Sequence, residues 1–158
     1  MTDARHAGPT LERLTLESRD SDHASDGFHR RHAATPENLP AIARAFADAS
    51  FFLEMMTCED RRRDLDTMRL VYTFNRFLHP QRHLITVDLP PDLPGASAPS
   101  IASICPAANW FEREVFDMYG VSFSDHPNLK RILLPDDADF HALLKDFGRI
   151  EDATQTDQ

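Results

Sequence analysis

Residues 108–133 read Ala-Asn-Trp-Phe-Glu-Arg-Glu-Val-Phe-Asp-Met-Tyr-Gly-Val-Ser-Phe-Ser-Asp-His-Pro-Asn-Leu-Lys-Arg-Ile-Leu. Four charged side chains, Glu112, Arg113, Glu114 and Asp117, sit among the aromatics Trp110, Phe111, Phe116, Tyr119 and Phe123. A helix bathed in water has no use for so many aromatics, and a plain core helix has none for so many charges. The mixture predicts a surface that something else covers. Asn109 is the expected N-cap of a helix running to about Tyr119, and Gly120 supplies the left-handed residue that ends it. Phe111, Val115 and Met118 are expected on its inner face. Beyond it, Val121 to Leu134 reads as extended chain with a turn at Asp125 to Asn128, and Lys130 and Arg131 lead into the apolar Ile132-Leu133-Leu134.

The charges on this helix do not suit acid–base catalysis. Glu112 and Glu114 are two residues apart and so project about 200° apart, which prevents them from flanking one bond. Arg113 and Asp117 stand at i, i+4, where an exposed pair contributes only ~0.2–0.5 kcal/mol. Within an interface, deleting one partner of a buried pair costs ~2–5 kcal/mol, which marks Arg113 as a candidate contact residue. The simpler role, bracing its own domain, stands beside it.

Upstream, Leu39, Ile42, Ala43 and Phe46 recur at helical spacing after Asn38, the expected cap, with Pro40 in the first turn. Phe51 to Thr57 fits either a helical turn or a strand. Arg61-Arg62-Arg63-Asp64 is a charged turn. Met68 to Phe77 alternates apolar and polar residues, placing Met68, Leu70, Tyr72 and Phe74 on one buried face of a strand. Leu84 to Leu89 returns after a turn at His79 to Arg82, giving an antiparallel hairpin. Pro90 to Pro99 is an irregular, proline-rich connection, and Ser100 to Ile104 a short helical turn. Residues 1–27 lack aromatics and are rich in Asp, Ser, Arg and His, so they are expected to be disordered, with Leu11, Leu14 and Leu16 forming at most a transient turn against a partner. An ordered domain over 28–146 and an acidic tail over 147–158 complete the division. The fold class is α+β: a small mixed or antiparallel sheet with helices packed on one face.

The length, 158 residues, suits one domain. With 17 Lys and Arg against 26 Asp and Glu, the net charge of −9 argues against a general nucleic-acid binder. No apolar run reaches the ~20 residues of a membrane-spanning helix, and the N-terminus has no secretory-signal pattern. Cys58 and Cys105 are too few to ligate an iron–sulfur cluster and read as small core residues. The pairs His29/His32 and His79/His83 have metal-like spacing, but neither has a third ligand nearby in sequence. His126 reads as a turn residue whose ring bonds backbone or a carboxylate. Lys130, Arg131 and Lys145 are too dispersed for a lipid surface and suit a protein partner better. No phosphate loop or nucleophile elbow is present.

Together Ala108-Asn109-Trp110, Glu112-Arg113-Glu114, Phe116-Asp117-Met118-Tyr119-Gly120 and His126-Pro127-Asn128-Leu129-Lys130-Arg131-Ile132-Leu133 resemble the signature of the 30 kDa subunit family of respiratory complex I. Homologous subunits belong to membrane-bound nickel–iron hydrogenases. The likeness spans roughly 36–146. It departs at Phe140-His141-Ala142-Leu143-Leu144-Lys145-Asp146, where Ala142 replaces a family Pro and Leu144 a family Arg, and at Asp125, where Gly often precedes the His. The resemblance implies a cofactor-free subunit peripheral on the cytoplasmic face of the inner cell membrane. Iron–sulfur clusters, NADH and quinone, or a nickel–iron centre, would be held by partner subunits: the large quinone-site or hydrogenase-like subunit and the iron–sulfur subunits. It also implies that Trp110, Glu112, Arg113, Glu114, Asp117, His126, Pro127, Lys130, Arg131, Lys145 and Asp146 meet those partners, and that the chain itself carries no catalytic or metal-binding residue. Its role would be to brace the large subunit within an NADH:quinone oxidoreductase. The hydrogenase subunit is the nearer alternative, formate- or carbon monoxide-linked, and a stand-alone binding module the distant one.

Overall fold

A computed structural model describes residues 10–93 and 95–147. In chain order these form β1 (Glu17–Asp20), α1 (His23–Asp26), β2 (Arg30–Ala34), a 3-10 turn (Pro36–Asn38), α2 (Leu39–Asp48), β3 (Phe52–Arg61), β4 (Thr67–Asn75), β5 (His83–Leu89), β6 (Ser97–Pro99), α3 (Ala108–Tyr119) and β7 (Ser122–Ser124). Five strands make one mixed sheet in the order β1-β2-β5-β4-β3, and β6 and β7 pair separately in parallel. The class is the expected α+β, with a mixed sheet.

Three strands, β3, β4 and β5, form an antiparallel meander, and β2 joins β5 in parallel. The stretch 51–57, open between helix and strand on sequence grounds, is mostly strand, because β3 pairs with β4 from Phe52 to Arg61 with one register shift at Glu54. In β4 the alternation holds for Met68, Leu70, Tyr72 and Phe74, which are at most 2 % exposed. Val71 and Thr73 on the opposite face are also buried, so this central strand is shielded on both sides rather than one. The core lies between the Tyr72 face and α2, whose Leu39, Ile42, Ala43 and Phe46 are all buried. Phe46 stacks on Phe74 with ring centroids 4.3 Å apart. α3 packs against β3 and contributes Ala108 and Val115 to the same core.

Two local expectations change. Asn38 occupies the cap position of α2 but caps nothing with its side chain, which donates instead to the Leu14 carbonyl at 3.0 Å. The proline-rich connection is irregular only in part, since Ser97–Pro99 pairs with the strand after α3.

The expectation of disorder for residues 1–27 differs over the described residues 10–27. Leu11 is 4 % exposed within the core, and β1 pairs with β2 from Glu17↔Ala33 to Asp20↔Arg30. One buried leucine and a borrowed edge order a strand that has no apolar side chain of its own. Residues 1–9 and most of the acidic tail, 148–158, lie outside the described residues.

Candidate functional site

The motif helix α3 begins at Ala108, with Ala107 rather than Asn109 at the cap and no side-chain cap bond. It ends as expected, with Gly120 at φ 79° and its N–H on the Phe116 carbonyl. Its buried residues are Ala108, Glu112, Val115 and Asp117. Two carboxylates therefore occupy the inner face, where Phe111 and Met118, both half-buried, were expected.

Glu112 is 0 % exposed and accepts from Ile101 N–H at 2.8 Å, while Ser100 Oγ lies 2.5 Å from its other oxygen. Burial raises its carboxyl to about 7, against the lowering effect of those two hydrogen bonds. The acid thus ties α3 to the turn before it. His126 lies at the same place, its Nε2 3.1 Å from the Asn109 carbonyl and 3.8 Å from a Glu112 oxygen. Its Nδ1 accepts Asn128 N–H at 3.0 Å, which selects the tautomer with hydrogen on Nε2. The ring bonds backbone within a turn, as the sequence suggested.

Asp117 is equally buried and makes the opposite kind of site. One oxygen accepts the N–H groups of Ile132, Leu133 and Leu134 at 2.7–3.0 Å, and the other accepts Arg131 Nη1 at 2.7 Å. Burial works to raise this carboxyl, but the three amides and the guanidinium outweigh it and hold it at about 2. The expected pairing of Asp117 with Arg113 is therefore corrected to Asp117 with Arg131. Arg113 instead donates to the carbonyls of Lys130 and Arg131 at 3.0 and 3.2 Å, under the Trp110 ring at 5.1 Å. Both arginines clamp the 130–134 segment onto α3, which is the bracing role weighed for Arg113.

The segment after Leu134 closes over the end of α3. His141 Nδ1 lies 2.8 Å from the Asp117 carbonyl, and Leu143 N–H donates to the Met118 carbonyl at 3.0 Å. The His141 ring covers Gly120 so closely that a Cβ there would stand 2.8 Å from it. Lys145 N–H reaches buried Asp60 at 2.9 Å, and Asp146 pairs with Arg62 at 2.7 Å. Arg62 is also the main cause that lowers the Asp60 carboxyl.

These facts divide the eleven residues expected at an interface. Glu112 and Asp117 are consumed inside the domain and offer no surface. The backbone and side-chain bonds of Arg131, His126 and Asp146 are also internal. Trp110 is 63 % exposed, and Glu114, Pro127, Lys130 and Lys145 are exposed around it and the segment. Sequence reading missed the apolar exposure beside them: Leu133, Leu143 and Phe147 are 48–60 % exposed, and Phe147 stacks on Phe140. The signal was present as apolar residues in a charged segment, but exposure depends on what the rest of the fold leaves uncovered.

His29/His32 and His79/His83 do not form the pairs their spacing suggested. His32 Nε2 meets His83 Nδ1 at 2.9 Å beneath Phe46 and Phe51, while His29 lies against His23. Among the described residues no group of three His, Cys, Asp or Glu side chains could hold a metal ion. Cys58 and Cys105 are buried and free, and burial raises both thiols, Cys58 to about 12. No helix of the described residues is long and apolar enough to cross a membrane.

Residues 33–153 match the sequence model of the respiratory-chain NADH dehydrogenase 30 Kd subunit. The chain is 40 % identical over 92 residues to an NADH-quinone oxidoreductase subunit of Rhodobacter capsulatus, an alignment covering 58 % of this chain and 45 % of that protein. The chain spans less than half the length of the curated relatives it matches. Its fold is similar to a chain in the structure of a membrane-bound sulfane sulfur reductase, described as an archaeal respiratory membrane complex. There the TM-score is 0.75 at 20 % identity, over 88 % of this chain and 80 % of that one. It is also similar to a trypsin-resistant fragment of Nqo5, with a TM-score of 0.60 at 22 % identity over 72 % and 89 % of the two chains.

Proposed function

The chain belongs to the family of the respiratory-chain NADH dehydrogenase 30 kDa subunit, and from that premise we propose that it is a cofactor-free, non-catalytic subunit of an NADH:quinone oxidoreductase of the complex I type. Its task is mechanical. It braces the large quinone-site subunit against the iron–sulfur subunits, which hold the clusters that carry electrons from NADH to quinone. It does so at the cytoplasmic face of the membrane.

The observation that carries the proposal is the outer face of α3 and the segment after it. Trp110, Leu133, Leu143 and Phe147 stand exposed on a frame whose buried charges are matched internally by Asp117, Arg131 and Arg113. Large apolar groups held out by a rigid support are what a permanent protein contact requires, because little ordering remains to be done on binding. Arg113 then acts from beneath, keeping Trp110 in place rather than meeting the partner as an ion.

Affinity purification of the tagged chain from its native membranes, with mass spectrometry, a metal assay and quinone-reductase assays, tests this. Iron–sulfur subunits with quinone-reductase activity and no nickel support the proposal. The same subunits with nickel would assign the chain to a nickel–iron hydrogenase instead. A lone, metal-free chain under gentle extraction would sink the bracing role.

A further inference from the structure

The segment after α3 lines a shallow cavity of about 490 Å³ at the end of that helix. Phe140 and Phe147 border it with their rings stacked, centroids 4.8 Å apart, and Leu93 and Leu144 add apolar wall. His141, whose ring covers Gly120, borders it too. These walls are ordered before anything enters. Leu144 N–H donates to the His141 carbonyl at 3.3 Å and Phe147 N–H to the Leu144 carbonyl at 3.0 Å. Between them, the N–H groups of Leu143 and Lys145 are tied to the Met118 carbonyl and to buried Asp60.

Beside these apolar walls stands acid that nothing neutralises. Asp139 lines the cavity, and the turn closed by Ala138 N–H on the Pro135 carbonyl keeps Asp136 and Asp137 next to it. All three are exposed, and no described side chain pairs with any of them. The neighbouring cations are already committed. Arg131 serves Asp117 and the Ala138 carbonyl, and Arg62 and Arg63 hold Asp146 at 2.7 and 3.4 Å. Lys145 acts toward Asp64, which it helps Arg61 to hold below the usual carboxylate range.

Apolar walls beside unpaired carboxylates select what can cover them. A purely apolar partner would strip water from the three acids and return nothing, whereas cations flanking an apolar side chain replace that water with ion pairs. An anionic lipid surface is repelled. A second copy brings the same acids and a net charge of −9, so like charge opposes it. The chain's own continuation over 148–158 sets Arg149 against Glu151, Asp152 and Asp157, and is itself net acidic.

Resting on the reading of the chain as an assembled subunit, we propose that this cavity docks a segment of a partner subunit that presents one large apolar side chain flanked by Lys or Arg. The side chain enters between Leu93, Leu144 and the Phe140–Phe147 pair, and the flanking cations meet Asp136, Asp137 and Asp139. Apolar contact then supplies the hold, and the three acids set the choice of partner and the rate of encounter.

The test places a photo-crosslinking phenylalanine analogue at position 147, and separately at position 110, of the full chain in its native complex. Position 147 is expected to link to an apolar residue of another subunit with Lys or Arg beside it. The Asp136→Asn/Asp137→Asn/Asp139→Asn variant should melt like the wild-type chain, since these side chains hold nothing within it. It should nevertheless recover the linked subunit about tenfold less well at low salt, and the deficit should shrink as salt screens the wild-type pairs. Position 147 linking to residues 148–158, to a second copy, to lipid, to no subunit, or to a segment without Lys or Arg overturns the inference. So does equal recovery of the linked subunit by wild type and variant at low salt. Failure at position 147 with subunit links retained at position 110 leaves the bracing role standing; failure at both positions removes both.

Discussion

Arg131 Nη1 lies 2.7 Å from Asp117 Oδ1, joining the inner face of α3 to a segment 14 residues further along the chain. Because Asp117 also accepts three consecutive amides, it gathers the N–H groups of residues 132–134, while Arg113 holds the Lys130 and Arg131 carbonyls. Asp117→Ala leaves those amides and a largely buried guanidinium without their acceptor. The expected loss of folding stability is about 3–5 kcal/mol, with Asp117→Asn intermediate because an amide oxygen retains part of the acceptance. Denaturant unfolding of the purified chain checks this; a loss below about 1 kcal/mol for Asp117→Ala would show that the segment is held elsewhere.

Gly120→Ala meets two separate penalties. At φ 79° a Cβ costs roughly 1–2 kcal/mol by itself, and the His141 ring occupies the space it would enter. His141→Ala should relieve the second penalty and not the first. A double-mutant cycle on thermal unfolding is expected to give a favourable coupling of about 0.5 kcal/mol or more, and additivity would mean that the ring moves aside freely.

Local signals told the truth where a single element decides its own form. Gly120 reads as a helix stop because its neighbours alone set the left-handed turn, and Met68, Leu70, Tyr72 and Phe74 read as one face because strand geometry alternates. What remained hidden is nonlocal. Asp117 could not be assigned to Arg131 from helix spacing, which offered Arg113 first. Glu17–Asp20 has an exposed, charged sequence and becomes a strand only by pairing with β2. His32 and His83 are 51 residues apart and meet because β2 and β5 are parallel neighbours. The family signature found the right helix, but it could not say which of its charges face inward.

Glu112 gives stability a dependence on pH with a definite sign. Its folded carboxyl is raised to about 7 from 4.5, so the folded state holds the proton more tightly than the unfolded state. The contribution is complete below about 4.5 and is lost as pH rises through about 7. Glu112→Gln keeps an acceptor for Ile101 N–H and a donor toward Ser100 Oγ, mimicking the protonated acid. The unfolding free energy of this variant should exceed that of wild type increasingly from pH 5 to 8, by a difference on the order of 2–3 kcal/mol at the upper end. Parallel profiles for the two proteins would contradict the assignment.

The buried His32–His83 pair acts in the other direction. Burial lowers His32 to about 4 and His83 to about 3, with neighbouring charge adding to the effect: Arg30 for His32, and His32 then Arg30 for His83. Unfolded histidines bind protons near 6.5, so stability is complete above that pH and declines as pH falls toward 4 and 3. Since Ser18 holds His32 Nδ1 at 2.7 Å, β1 should loosen first. Hydrogen exchange at residues 17–20 is therefore expected to accelerate between pH 6.5 and 4, after correction for intrinsic rates. A His32→Gln/His83→Leu variant should lack that acceleration.

Trp110→Ala separates folding from assembly. The indole is 63 % exposed and its main support is the Arg113 guanidinium at 5.1 Å, a contact worth about 0.5–1 kcal/mol at an exposed site. The isolated chain should therefore lose no more than about 1 kcal/mol of stability. If the α3 face is the bracing contact, the same change removes a rigid aromatic anchor and should weaken association by about 2 kcal/mol or more, roughly thirtyfold. Met55→Ala provides the control, since Met55 is 40 % exposed on the sheet face away from α3. Recovery of partner subunits with each tagged variant decides the point: loss with Trp110→Ala but not with Met55→Ala fits an α3 contact, and equal recovery would move the contact off this face.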